Sequence, residues 1–319
     1  VPDALPLVVV ADPIDASAVT RLSAGPCRVV DATAGADALN PALPDAWALI
    51  VRSRTKVTGE MLGRAPRLTL VARAGVGVDN VDLKAATARG VRVVNAPTAA
   101  TASVAELTIA FYLMLVRDLA PQVQATKSGE WVRGQNRGEL AGRSVGFVGY
   151  GRIAREVARR LRPFGVTRLA YDPFVPTSTD GTRMCPLDEL LASSDIVSLH
   201  AAATPENHHL LGADRIARMK RGAFVVNVAR GSLIDEAALE AALVSGQVGG
   251  AALDVFEVEP PKRPALLNHP RVVATPHIGA STHEAQARAG AQVVDEVLRA
   301  LSGEPLLSLV NPEVGGKPA

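Results

Sequence analysis

Three side chains in the last third of the sequence could together move a hydride to or from a carbon bearing oxygen: Arg230, Glu259 and His277. A permanently charged, planar guanidinium holds a carboxylate in two-point contact and polarises an adjacent carbonyl, which suits Arg230. A proton must travel opposite to the hydride. Imidazole titrates near neutral pH, so His277 is the natural donor and acceptor, and a carboxylate such as Glu259 beside it favours the charged ring. Each residue also has an ordinary reading: a turn cap within Val228-Ala229-Arg230-Gly231-Ser232, a solvated acid before Pro260-Pro261, a hydrogen-bonded structural histidine. Position separates the two readings. Arg230 follows the apolar run Ala223 to Val228, Glu259 follows the run that ends near Val255, and His277 follows Val272 to Ala274 through Thr275-Pro276. Such runs read as parallel strands, and ligands of parallel sheets bind beyond their carboxyl ends. His200 ends the run Ile196 to Leu199 at the same edge and is the second choice of acid/base, its backbone carrying more weight than its ring. His208, His209, His269 and His283 have no assignable partner and read as surface or packing residues.

The edge those residues share is set by the run Ser144-Val145-Gly146-Phe147-Val148-Gly149-Tyr150-Gly151-Arg152-Ile153-Ala154, a buried strand breaking into a glycine turn and then a helix. Gly149 makes the tight turn, and Gly151 lets backbone approach a pyrophosphate whose charge meets the amides of a helix starting near Arg152. Ala154 stands at the third glycine position, a tolerated variant. About 20 residues on, the strand Arg168 to Tyr171 ends in Asp172, placed to accept ribose hydroxyls, which argues for NAD over NADP.

Around this centre the chain alternates strands and helices. Leu7–Val10, Arg28–Val30, Ala48–Val51, Leu68–Ala72 and Val91–Val94 give the first sheet, and about six parallel strands follow from Val145 onward. The mostly apolar stretch from Thr101 to Leu119 predicts one helix buried on several sides, capped near Thr101 or Ser103 and ending before Pro121. Ala285, Ala289, Val293, Val294, Val297, Leu298 and Leu301 have helical spacing, and that helix should return to the first domain. The expectation is therefore an α/β chain of two domains with parallel sheets, Rossmann-like and flavodoxin-like. Residues 1–97 and 284–319 form a discontinuous substrate-binding domain, residues 98–283 an NAD-binding domain, and a second ligand sits in the cleft between lobes.

Composition agrees. With 319 residues, 48% of them hydrophobic, and a formal net charge of +2, the chain can bury a sizeable core. Basic residues are dispersed and aromatics scarce, which excludes a nucleic-acid binder and leaves a bias towards small anionic ligands. Cys27 and Cys185 lack metal or redox spacing and suggest a reducing cytoplasm. No targeting or spanning segment is read, since Leu5 to Ala11 is too short and lacks a basic leader.

At this point the chain resembles the D-isomer-specific 2-hydroxyacid dehydrogenases, and among them the phosphoglycerate dehydrogenase branch, from about Val51 to Asn311. The resemblance is carried by Val51-Arg52-Ser53 with Thr55-Lys56-Val57-Thr58, by Arg73-Ala74-Gly75-Val76-Gly77-Val78-Asp79-Asn80-Val81-Asp82, and by Asn227-Val228-Ala229-Arg230-Gly231. It continues through Ala251-Ala252-Leu253-Asp254-Val255-Phe256 and Pro276-His277-Ile278-Gly279-Ala280-Ser281-Thr282. It implies catalysis by Arg230, Glu259 and His277. It implies NAD contacts at Gly149, Gly151, Arg152, Ile153, Asp172, His200, Ala201, Val228, Ala229, Arg230, Asp254, His277 and Gly279, with Val76 on the nicotinamide side, and no metal. A homodimer through the apolar helix is implied too.

Substrate choice points to the first domain. Arg52, Arg54 and Lys56 alternate, so they share one face if the strand from Ala48 continues that far, and Arg73 ends the neighbouring strand. The plain alternative is a solvated basic edge strand. By resemblance, Arg52 and Arg73 hold the phosphate of 3-phosphoglycerate or phosphohydroxypyruvate, while amides of Ala74-Gly75-Val76 receive its carboxylate, alongside Arg230 and His277. Arg54 departs from the family's small residue and adds charge beside that pocket. So few residues follow Asn311 that a C-terminal regulatory module is not expected. The rivals are a glyoxylate or hydroxypyruvate reductase and, in another class, an NAD-sensing protein of the corepressor type.

Overall fold

The computed structural model describes residues 5–134 and 136–315. They fall into two compact units, one within Val1–Ala100 and Ala280–Ala319, the other Thr101–Gly279.

The first unit holds strands β1 (Leu7–Val10), β2 (Arg28–Asp31), β3 (Ala46–Val51), β4 (Leu70–Arg73) and β5 (Arg92–Asn95), all parallel, in the order β2-β1-β3-β4-β5. Valine-rich runs buried on both faces form strands because β-branched side chains pack well on a pleated surface that helices cover. The helix His283–Leu301 covers one face, setting Val293, Val294 and Val297 among Val8, Val10, Ile50, Ala72 and Val94. Its start is fixed by Thr282, whose hydroxyl accepts from the Ala285 amide at 3.1 Å. Leu39, Leu43, Leu62 and Ala86 line the other face. One expectation is corrected: β3 stops at Val51, so Arg52, Arg54 and Lys56 lie on a loop and not along one strand face.

The second unit holds β6 (Ser144–Val148), β7 (Thr167–Tyr171), β8 (Arg183–Met184), β9 (Ile196–Leu199), β10 (Ala223–Asn227), β11 (Val248–Leu253) and β12 (Val272–Ala274). All are parallel, in the order β12-β11-β10-β9-β6-β7-β8. The seventh strand is β8, two residues long and too short to register as an apolar run. Chain direction across the sheet reverses between β6 and β9, which makes their carboxyl ends the switch point where such sheets bind nucleotides. The apolar segment is two helices, Thr101–Val116 and Leu119–Lys127, parted at Asp118 in the left-handed region with φ 50°. Aspartate tolerates that conformation, and Pro121 stands in the first turn of the second helix, where its missing N–H costs nothing. The first of them packs on the helix Arg152–Arg160 and on β10 and β11.

Candidate active site

In the second unit the glycine turn after β6 is shaped by its neighbour. Gly149 has φ +89°, and a Cβ there would stand 2.6 Å from the Ala201 nitrogen and 2.8 Å from the His200 carbonyl carbon. Only glycine meets both demands. Gly151 caps the helix Arg152–Arg160, which presents Arg152 and Ile153 in its first turn. A Cβ on Gly151 would meet nothing within 4 Å, so no protein group requires glycine there. The Tyr150 side chain points inward and anchors the turn, its hydroxyl donating to Asp180 Oδ2 at 2.6 Å and sharing a hydrogen bond with Thr182 Oγ1 at 2.6 Å. Burial, reinforced by the Asp180 carboxylate, pushes that phenol up to about 12. Asp172 follows β7; its Oδ2 accepts from the Tyr150 amide at 2.8 Å and its Oδ1 from the Phe174 amide at 2.9 Å. The acid therefore sits beside the glycine turn.

Three further loops leave the same edge. After β10, buried Asn227 brackets Val228 to Arg230: its Oδ1 accepts from the Ala229 amide at 3.0 Å and its Nδ2 donates to the Arg230 carbonyl at 2.9 Å. The Arg230 guanidinium donates from Nη1 to the Ala229 carbonyl at 2.7 Å. Gly231 lies so close to the loop after β11 that a Cβ would fall 1.8 Å from the Phe256 carbonyl carbon, which draws the arginine loop against the one carrying Glu259. Glu259 uses both oxygens. Oε1 accepts from the Phe256 amide at 3.2 Å, and Oε2 meets His277 Nδ1 at 2.9 Å. His277 follows β12 with φ 54°. Its loop is held by Asp254, 2% exposed, which takes the Thr275 hydroxyl at 2.5 Å and the amides of Ile278 and Gly279 at 2.8 and 2.7 Å. A carboxylate accepting several short bonds fixes a loop firmly. Asp254 is thus a clamp on the histidine loop, a role that its place in the sequence does not announce.

His200 takes another part. Its ring bonds Ser198 Oγ at 2.9 Å and lies 5.8 Å from the Phe147 ring. Desolvation lowers the imidazole to about 3, so it is neutral at physiological pH and unsuited to donate a proton. His208 and His209, read above as surface or packing residues, do reach the surface, and both have a partner there in Glu257.

In the first unit Arg52 donates from Nη1 to the Pro13 carbonyl at 3.3 Å, and its backbone N–H reaches Asp12 Oδ2 at 2.7 Å. Arg73 ends β4 and folds over Gly75, where a Cβ would fall 1.7 Å from Nη1. The expectation for the turn amides narrows. Ala74 N–H already donates to Val51 O and Gly75 N–H to Arg73 O, both at 2.8 Å, so of the three only the Val76 N–H is uncommitted to a backbone carbonyl among the described residues. The Val76 carbonyl accepts from Asn95 Nδ2 at 2.6 Å. Arg54 is spoken for: Nε pairs with Asp12 Oδ1 at 3.2 Å, and Nη2 donates to the carbonyls of Ala11 and Thr33 at 3.1 and 2.7 Å. Its charge is spent on a carboxylate 1% exposed.

A family model described as D-isomer specific 2-hydroxyacid dehydrogenase, NAD binding domain, matches residues 109–279. The chain belongs to the D-isomer specific 2-hydroxyacid dehydrogenases. It is 47% identical over 268 residues to a D-3-phosphoglycerate dehydrogenase of Bacillus subtilis, covering 83% of this chain and 51% of that protein. To that of Mycobacterium bovis it is 45% identical over 317 residues, covering 98% of this chain and 60% of the other. It thus spans between half and two thirds of the length of these relatives. Among solved structures, the NADPH-dependent glyoxylate/hydroxypyruvate reductase of Sinorhizobium meliloti superposes with a TM-score of 0.87 at 31% identity, covering 96% of this chain and 99% of that one. The NAD binding domain of this dehydrogenase family is the second unit. Among the described residues no helix is long and apolar enough to cross a membrane.

Proposed function

We propose that the chain interconverts a D-2-hydroxy acid and its 2-oxo acid with NAD, the pair being 3-phosphoglycerate and 3-phosphohydroxypyruvate. The observation that carries the reading is the 2.9 Å contact between His277 Nδ1 and Glu259 Oε2 on a loop that Gly231 holds against the Arg230 loop. With Nδ1 turned to the carboxylate, Nε2 is the ring atom left to exchange a proton. In oxidation His277 takes the hydroxyl proton as the C2 hydrogen departs with its electron pair, and Glu259 stabilises the imidazolium; in reduction both steps reverse. Arg230 holds the substrate carboxylate and polarises the C2 oxygen. NAD supplies the hydride acceptor or donor. The residues present suit it: the open side of Gly151 admits a pyrophosphate onto the helix at Arg152, and Asp172 beside the turn accepts ribose hydroxyls and repels a 2′-phosphate.

Arg52 and Arg73 of the first unit are proposed to bind the phosphate, with the Val76 amide taking part in carboxylate binding. Neutralisation of Arg54 by Asp12 favours this, since the extra cation adds no net charge to the site. The likeness to the Sinorhizobium enzyme supports a second reading, reduction of glyoxylate or hydroxypyruvate. Initial rates on phosphohydroxypyruvate, hydroxypyruvate and glyoxylate, each with NADH and with NADPH, decide between them. The expected result is fastest turnover of phosphohydroxypyruvate with NADH. Faster turnover of the unphosphorylated acids rejects the phosphorylated substrate, and tight NAD binding without turnover of any acid favours a sensor.

A further inference from the structure

We propose that His208, His209 and Glu257 form a binding site for one borderline divalent cation, Zn2+ being the best fit. Neighbouring residues on an extended chain send their side chains apart. Here His209 has φ 48°, a left-handed conformation uncommon for a residue with a Cβ, and its ring is brought back over that of His208 with centroids 4.0 Å apart and planes 29° from parallel. The turn is fixed by the His209 N–H donating to the Ser232 carbonyl at 2.8 Å. Glu257 is fixed in turn. Its amide donates to Oε1 of buried Glu236 at 2.7 Å, so its carboxylate stands opposite the two rings.

The donor atoms are correctly spaced. Nε2 of His209 and of His208 lie 2.8 and 3.6 Å from the same Glu257 oxygen, and the three donor atoms are within 4.8 Å of one another. Ligands of a tetrahedral zinc ion are separated by about 3.3 Å, a spacing these distances bracket. Two imidazoles and one carboxylate are the donors that zinc accepts while keeping a fourth position for water. All three side chains reach solvent, so an ion can enter, and once bound it would tie the segment after Asn207 to the loop that carries Glu259.

The test is equilibrium dialysis of the tag-free full chain against micromolar Zn2+, with bound metal counted by mass spectrometry. The comparison chain carries His208→Gln, His209→Asn and Glu257→Gln; asparagine tolerates the left-handed backbone. The natural chain is expected to hold one Zn2+ more than the triple variant, and Glu257→Gln alone to bind at least about tenfold more weakly. Equal metal content in the two chains, or no Zn2+ on the natural chain, overturns the proposal. Unchanged metal-free circular dichroism verifies the fold of the triple variant, and should it not fold, the Glu257→Gln affinity alone decides.

Discussion

Both units end a strand in a buried aspartate that staples a neighbouring loop, yet the two carboxylates are satisfied differently. Asp12, just beyond β1, takes the amides of Arg52 and Thr55, the Thr55 hydroxyl and the Arg54 guanidinium. Asp254, just beyond β11, takes two amides and one hydroxyl, all neutral donors. Burial acts to raise Asp12, and the bonds from Thr55, Arg52 and Arg54 outweigh it, leaving that carboxyl below its ordinary value. The difference separates two tasks. A clamp that includes a cation fixes a loop and consumes the charge of Arg54, whereas a clamp of neutral donors positions the His277 loop without drawing on any cation.

The sharpest way to break the contrast is to remove the proton carrier itself. His277→Gln is expected to lower turnover by about 10²- to 10⁴-fold with NAD affinity, read by fluorescence titration, within a few-fold of the natural chain. Asp254→Ala should cost turnover about 10²-fold through misplacement of the same loop, and kcat measured beside the melting temperature separates misplacement from unfolding. Asp12→Ala should act the other way, costing about 3 kcal/mol in urea unfolding while kcat changes little, because Arg54 and two amides lose their acceptor. Acid should divide the units as well. The His200 ring titrates at about 3 when folded and 6.5 when unfolded, so unfolding takes up a proton between those values and stability falls as pH drops through that window. The Asp12 contribution is complete above 3.8 and is lost only as pH falls towards its lower folded value. Hydrogen exchange at pH 5 should therefore show β6 and β9 losing protection while β1 and β3 keep theirs, and equal loss in both sheets would reject the assignment. The smallest effect is expected from Arg54→Met, about 1 kcal/mol or less, since that side chain is 57% exposed.

Much of this was legible in the residues. Continuous valine and alanine runs mark buried parallel strands because both faces need apolar cover, and the turn at Gly149 to Gly151 marks the nucleotide edge because few other residues permit it. The pairing of His277 with Glu259 could be proposed from their common strand-end position, 18 residues apart. What stayed hidden was long-range polar closure. Asp12 finds Arg52, Arg54 and Thr55 across 40 to 43 residues, and His209 finds Glu257 across 48. No local periodicity encodes such meetings, which depend on which loops a sheet order brings together. The break at Asp118 was marked only by the charged pair Arg117-Asp118 between Val116 and Leu119, which a helix can also carry on an exposed face, and the left-handed torsion of Asp118 is what ends the helix.

The contact at Gly231 sets a rule for anyone recombining relatives of this chain. Where one backbone lies within a methyl group's width of another, the two stretches behave as a single inherited part. A chimera that takes residues 227–231 from one parent and 254–259 from the other has to match their separation to a fraction of an ångström, so a crossover placed between them should fail far more often than one placed outside both.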